Sequence, residues 1–261
     1  MLQAGPRIYM GAVQTWGEEG GLRNDNEKLA AARISEIFDK SQGSTESKLR
    51  HFAKFVRRQD MTKWLTRHEL FKLQLNVKGS IVECGVFQGG GVMTWGNLSA
   101  ILEPNNIMRK VYGFDSFEGF PSVSAMDVSK ERSSQAGDLS APTFSELKSL
   151  IGAFDQNRFL GHVPKIELVC GDATKTIPKF INQNKHLIVS LLYLDFDLYE
   201  PTKLALEHFW PRMPKGSILA FDELDHPAWP GETMALLETL GIKDLELRRF
   251  DFDPYVSFAI L

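Results

Sequence analysis

Beyond Gly79 the chain alternates between two kinds of segment. Short apolar runs at residues 80–86, 110–114, 166–170, 187–194 and 217–221 are separated by stretches with helical spacing at 90–102, 143–154, 173–183, 201–213 and 231–240. Parallel strands need a crossover between them, and a helix supplies it, so this repetition predicts successive βα units and a parallel sheet. The last two apolar runs, 245–250 and 255–261, break the pattern because only Asp251, Asp253, Pro254 and one neighbour join them. No helix fits there, which predicts an antiparallel pair. The expected fold class is α/β, a Rossmann-like doubly wound, mostly parallel seven-stranded sheet with a final antiparallel strand, plus an N-terminal helical arm.

Ahead of the sheet, residues 1–45 are polar, with a short helical candidate near 26–38. From 47 to 75 the spacing of Leu49, Phe52, Phe55, Val56, Met61, Trp64, Leu65, Leu70 and Leu73 predicts helices with an apolar face. The expected organisation is an arm and packing helices over 1–75 and one ligand-binding domain over 76–261. Residues 122–142 carry no sustained apolar period and are long for a connection, which marks a mobile lid or a disordered segment.

Charge and composition narrow the partners. A net charge of -3 offers no basic field for nucleic acid or anionic lipid. No apolar run approaches the ~20 residues that span a bilayer, and the N-terminus lacks a basic region leading into an apolar one. A soluble, cytoplasmic protein acting on a small molecule is expected. Cys84 and Cys170 both fall in strand-like runs, where a reduced thiol behaves as a small hydrophobe, so neither zinc nor a disulfide is expected.

The stretch 80–91, Ser-Ile-Val-Glu-Cys-Gly-Val-Phe-Gln-Gly-Gly-Gly, places glycines where a strand turns sharply into a helix and a ligand can approach the backbone. Such a turn serves NAD, FAD and S-adenosylmethionine alike, or is simply a tight turn. The acids around it separate these readings. S-adenosylmethionine carries an ammonium and a sulfonium but no phosphate, so carboxylates suit it and repel a pyrophosphate. Glu83 lies in the loop, Asp115 ends the second strand where it can accept the ribose hydroxyls, and Asp172 follows the third where it can accept the adenine amine. Each also reads as a helix cap, Asp172 most of all. Gly85, Phe87 and Gly89 of the loop, Ser116, Ala173 and Asp195 complete the candidate cofactor contacts.

Two further strands end in acids: Asp195 and Asp197 after the fourth, Asp222 and Glu223 after the fifth. If these strands are neighbours, four carboxylates converge and disfavour one another's ionisation. A divalent cation resolves that repulsion, and an all-oxygen set favours Mg²⁺, Mn²⁺ or Ca²⁺ over zinc. Mg²⁺ also leaves positions open for substrate oxygens.

Glu-Cys-Gly-Val-Phe-Gln-Gly-Gly at 83–90, Gly-Phe-Asp-Ser-Phe-Glu-Gly-Phe-Pro at 113–121, Asp-Phe-Asp-Leu-Tyr-Glu-Pro-Thr at 195–202 and the acidic pair at 222 and 223 together resemble the macrocin O-methyltransferase family. The resemblance spans roughly residues 60–261, with the motifs in the family's order. It implies a Mg²⁺-dependent enzyme that methylates sugar hydroxyls on antibiotics or nucleotide sugars, with Asp195, Asp222 and Glu223 as metal ligands and Asp197 as general base. Glu223 is a departure, since the family carries a second aspartate there. The apolar N-terminal helices suggest a homo-oligomer, dimer or tetramer.

His226, Trp229, Tyr199 and His68 read as loop or packing residues rather than as parts of the site. Two other functions compete: an NAD-dependent oxidoreductase, which leaves the four acids unexplained, and a non-catalytic accessory protein that retains the fold.

Overall fold

The computed structural model describes residues 25–261, so most of the polar arm, residues 1–24, lies outside the described residues. The chain divides into two units at Arg57 and Arg58. In the first, helices α1 (Asp25–Lys40) and α2 (Thr45–Arg50) bury no residue, and Phe38 meets Phe55 edge-on with ring centroids 5.0 Å apart. Ser44 caps α2 by accepting a hydrogen bond from Ser47 N.

The second unit begins with α3 (Arg58–Gln74) and continues as the expected alternation: β1 (Ser80–Cys84), α4 (Gly90–Leu102), β2 (Val111–Asp115), α5 (Phe144–Gln156), β3 (Ile166–Cys170), α6 (Ala173–Gln183), β4 (Val189–Leu194), α7 (Tyr199–Phe209), β5 (Ile218–Phe221) and α8 (Gly231–Thr239). The short β6 (Arg248–Phe250) and the long β7 (Asp253–Ile260) close the chain. The sheet order is β3-β2-β1-β4-β5-β7-β6, parallel through β5, with β7 antiparallel to both neighbours. This is the expected doubly wound seven-stranded sheet.

Core packing follows from the strand residues. Every residue of β1, β4 and β5 is buried, because these central strands are covered on both faces. Val82, Cys84, Leu192 and Leu194 face one apolar layer with α6 and α7, while Ile81, Leu191 and Tyr193 face the other with α3 and α4. Cys84 is a buried thiol as expected. Cys170 is not: β3 is an outer strand of which only Ile166 is fully buried, so the thiol at its end is exposed. Among the described residues no helix is long and apolar enough to cross a membrane.

Between β1 and β4 the strand order reverses, and a crevice opens beyond their carboxyl ends, the usual ligand position in open α/β sheets. The glycine loop and the acids of β4 flank this switch point.

Candidate functional site

The glycine loop leaves β1 through Gly85 at φ 97° and enters α4 through Gly89 at φ 88°, with Phe87 also left-handed at φ 51°. Asp115 holds this shape. Its Oδ2 accepts hydrogen bonds from Val86 N (2.8 Å) and Phe87 N (2.7 Å), and its Oδ1 accepts one from Phe117 N (2.7 Å). A carboxylate offers roughly four lone-pair sites, so one remains for a ribose hydroxyl. Phe87 presents a half-exposed ring, and its carbonyl accepts a bond from Thr143 Oγ1 (3.1 Å). Ser116 Oγ donates to Gly119 O (2.6 Å) and tightens the turn after β2.

Glu83 sits beneath this loop rather than in the open crevice, at 1% exposure. Its Oε1 occupies the space that a side chain at residue 91 would need, which accounts for Gly91. Arg67 of α3 approaches Oε1 at 3.8 Å while its guanidinium lies 5.0 Å from the Tyr193 ring, and Glu83 Oε2 is buried without a hydrogen-bond partner. Burial pushes the Glu83 carboxyl up to about 8, with Asp222 and Asp115 adding to the rise and Arg67 opposing it.

At the third strand, Asp172 caps α6: its Oδ1 accepts from Thr174 N (3.0 Å) and Thr174 Oγ1 (2.7 Å), and its Oδ2 pairs with Lys175 (2.9 Å). The cap predicted from the sequence is therefore present. Ala173 is buried in the α6 layer.

The four acids behave as converging charges. Asp195 follows β4 and donates its backbone N–H to Cys84 O (2.7 Å), which locks it beside the glycine loop. Burial and Asp222 raise its carboxyl well above the ordinary range. Asp197 is buried and left-handed at φ 61°, and burial with Asp222 pushes its carboxyl up to about 7. Burial, Asp222 and Asp197 push Glu223 up to about 10, and its Oε2 has no partner. Asp222 moves the other way: burial raises it, but Lys63, Arg67 and the Tyr193 hydroxyl together hold it below its usual value. The Tyr193 hydroxyl donates to Asp222 Oδ1, and Lys63 stands 3.6 Å from Oδ2. Among the described residues no group of three or more His, Cys, Asp or Glu side chains is gathered to hold a metal ion as they stand.

Four contributors were invisible to the sequence reading. Lys63 and Arg67, one turn apart on α3, supply the positive charge around Asp222 and Glu83. Glu232 of α8, fully buried, accepts hydrogen bonds from Asp197 N (3.4 Å) and Glu223 N (3.2 Å) and so joins the two acid-bearing loops. Asp127 lies in the segment expected to be a lid and accepts from Tyr199 N (2.7 Å). A first-turn acid in a helix or a lone aspartate in a polar stretch carries no local signal of such contacts.

Residues 122–142 lie against the acid-bearing loops. Ser129 Oγ donates to Pro227 O (2.7 Å), and Arg132 stacks on Trp229 at 3.8 Å while pairing with Asp138 at 3.6 Å. Trp229 also meets Phe120 edge-on, so it packs as expected. Tyr199 is buried, with its hydroxyl donating to Glu238. His226 stacks on Tyr255, and its Nδ1 accepts from Ala228 N (3.2 Å).

Comparison with known proteins gives a consistent picture. The macrocin-O-methyltransferase (TylF) family profile matches residues 52–257. A crystal structure of CalS11, a calicheamicin methyltransferase, is 35% identical, covers 91% of this chain and 93% of its own, and superposes with a TM-score of 0.88. An apo structure of CalS11, described as a TDP-rhamnose 3'-O-methyltransferase of calicheamicin biosynthesis, is 33% identical with a TM-score of 0.80, covering 91% and 95%. A Streptomyces olivaceus 8-demethyl-8-(2,3-dimethoxy-alpha-L-rhamnosyl)-tetracenomycin-C 4'-O-methyltransferase is 28% identical over 148 residues, 56% of this chain. The match spans about half, 53%, of that relative's length.

Proposed function

Since the chain belongs to the macrocin O-methyltransferase family, we propose that it transfers a methyl group from S-adenosylmethionine to a hydroxyl of a sugar or sugar-containing small molecule. The observation that carries this reading is the meeting, at the switch point, of a glycine loop backed by buried Glu83 with the acids that follow β4 and β5. Burial keeps Glu83 largely protonated at neutral pH, so the family match rather than the charge beneath the loop argues against the NAD-dependent alternative.

Asp115 shapes the loop and keeps one acceptor site for the ribose, while Asp172 stands at the adenine end beside Ala173. Gly85, Phe87, Gly89, Ser116 and Asp195 line the remaining cofactor path. Asp197 takes the proton from the acceptor hydroxyl as that oxygen bonds to the methyl carbon. S-adenosylmethionine, when bound, would supply the methyl group, its carbon–sulfur bond breaking in line with the electron pair returning to sulfur and S-adenosylhomocysteine as the leaving group. Arg132, Trp229 and the 122–142 segment shelter the reacting oxygen from water.

The donor chemistry here fits a hard divalent cation. The candidate ligands Asp195, Asp222 and Glu223 offer carboxylate oxygens alone, and Glu223 Oε2 is buried without a partner. Sharing an ion requires side-chain rotation, because Asp222 engages Tyr193 and Lys63. Mg²⁺ bound there would supply charge neutralisation and acidify a coordinated hydroxyl.

A thermal-shift series checks the acid cluster. Carboxyls whose folded pKa is raised stabilise the fold below their ordinary value of 4.5, and lose that contribution as pH rises through about 8 for Glu83 and about 10 for Glu223. The melting temperature in chelator is therefore expected to fall on going from pH 5 to 9. Added Mg²⁺ should restore part of it at pH 9 and little at pH 5, and no effect of Mg²⁺ at either pH rules out the cation.

Activity is tested with methyl-labelled S-adenosylmethionine and a panel of nucleotide sugars and rhamnosylated glycosides, TDP-rhamnose included, with Mg²⁺ or chelator. Methylated product on a sugar hydroxyl is expected. Cofactor binding without product on any acceptor would favour the accessory-protein reading.

A further inference from the structure

We propose that Asp127 is a positioning residue through which the 122–142 segment sets the catalytic geometry of Asp197; this rests on the methyltransferase reading above. Helix α7 begins at Tyr199, two residues after Asp197, and its N-cap is Leu198, whose side chain accepts nothing. The first amides of a helix lack intrahelical acceptors, so the buried Tyr199 N–H needs one from elsewhere. Asp127 supplies it at 2.7 Å from across the fold, placing a carboxylate at the positive end of α7.

The carboxylate works in two directions at once. Its Oδ2 accepts from Ser124 N and Ser124 Oγ, each at 2.7 Å, while Ser124 Oγ accepts from Met126 N, a capping box that fixes Asp127 within its own segment. Its Oδ1 reaches the catalytic loop. Asp127 is 5% exposed, so both bonds are sheltered from water.

Crowding makes the contact specific. A side chain at Gly231, the first residue of α8, would come within 2.5 Å of both Asp127 Oδ1 and Tyr199 N and 2.7 Å of Asp197 O. The segment, the catalytic loop and α8 thus meet at one point with no spare volume. Asp197 is held from one side by Glu232, which accepts its N–H, and from the other by Asp127 through Tyr199. Its backbone is in the left-handed region at φ 61°, which aspartate tolerates better than most side chains, and these two contacts hold it there. Removing the Asp127 carboxylate would take away the fixing of Asp197 that comes through Tyr199. The placement of the base is thereby tied to the 122–142 segment.

The test uses Asp127→Ala and Asp127→Asn in the full-length protein. Hydrogen exchange of the Tyr199 amide, cofactor affinity by calorimetry, and kcat and KM with TDP-rhamnose are measured for each. Asp127→Ala is expected to speed Tyr199 exchange roughly tenfold or more, the size of a lost charged hydrogen bond. It should lower kcat about 10- to 100-fold, the effect of a small misplacement, with cofactor affinity unchanged. Asp127→Asn keeps a carbonyl oxygen for Tyr199 N but sets an amide N–H against Ser124 N, so it should recover part of both losses. Unchanged exchange, unchanged kcat despite faster exchange, or cofactor affinity falling in step with kcat would each overturn the proposal. Failure of the wild-type protein to methylate any acceptor overturns the activity reading and this role with it. An active wild-type protein whose Asp127 variants show no defect overturns the role alone.

Discussion

Replacing Gly85 with alanine should abolish cofactor binding and destabilise the sheet by about 3 kcal/mol or more, because two independent costs fall on one residue. The first is conformational. Gly85 sits at φ 97°, where an L side chain is strained. The second is steric: an added Cβ would lie 2.6 Å from the Asp195 carbonyl carbon and nearer still to its oxygen. What it meets is backbone, so no rotamer change relieves it. That backbone is also tied down, since Asp195 N donates to Cys84 O at 2.7 Å and Gly85 N donates to Phe114 O at 2.9 Å. Relief would have to separate β1 from β4 at the switch point, moving the glycine loop and Asp195 together. Gly90→Ala is the control. Nothing lies within 4 Å of a Cβ there, the φ is not positive, and the position opens α4. Alanine at Gly90 should be neutral or stabilising by up to about 1 kcal/mol. Urea unfolding and calorimetry with S-adenosylmethionine compare the pair, and a Gly85→Ala protein with the wild-type midpoint and affinity would refute the packing argument.

The contrast between these neighbouring glycines shows where the sequence was legible. The βα alternation predicted the sheet because apolar runs must be buried wherever they occur, and burial on both faces leaves few arrangements for five such runs. The acids at the ends of β1, β2, β4 and β5 could be placed for the same reason: a strand's last residue has a fixed position once the sheet is known. Contacts between distant segments had no such local trace. Glu232 looked like an ordinary first-turn helix acid, yet its two oxygens join loops 9 and 35 residues away. Asp127 stood in a stretch read as a mobile lid, while its carboxylate meets an amide 72 residues on. The Cys170 error has a different origin. Its run is as apolar as the others, but strand order, which no single run encodes, puts β3 on the outside. Asp115 was assigned to the ligand, and the structure shows it first serving the loop that would receive that ligand.

The sharpest test of the chemistry is Asp197→Asn. Asparagine is nearly isosteric and is among the few residues that tolerate the left-handed backbone found there, so the substitution removes the charge and leaves the φ of 61° in place. Turnover is expected to fall about 10²- to 10⁴-fold, the range of a lost general base, with S-adenosylmethionine affinity unchanged if the side chain serves the acceptor as proposed. A base must be ionised to work. In the metal-free protein burial and Asp222 raise the carboxyl to about 7, and Mg²⁺ on the neighbouring acids would lower it, so with Mg²⁺ wild-type kcat/KM should climb with pH and level off below 7, and the residual activity of the variant should lack that inflection. Stability should respond in the opposite sense. A folded pKa above the ordinary 3.8 means that the protonated group favours folding, and that this contribution is lost as pH rises through about 7. The wild-type protein in chelator should therefore be less stable than Asp197→Asn at pH 8 and should match it at pH 4. A variant that is inactive and also unstable at pH 8 would mean that Asp197 holds the loop together, and an active one would mean that the proton leaves by another route. Loss of turnover with stability retained or gained at pH 8 separates the two, because a carboxylate kept for chemistry is one that the fold, at that pH, would be better without.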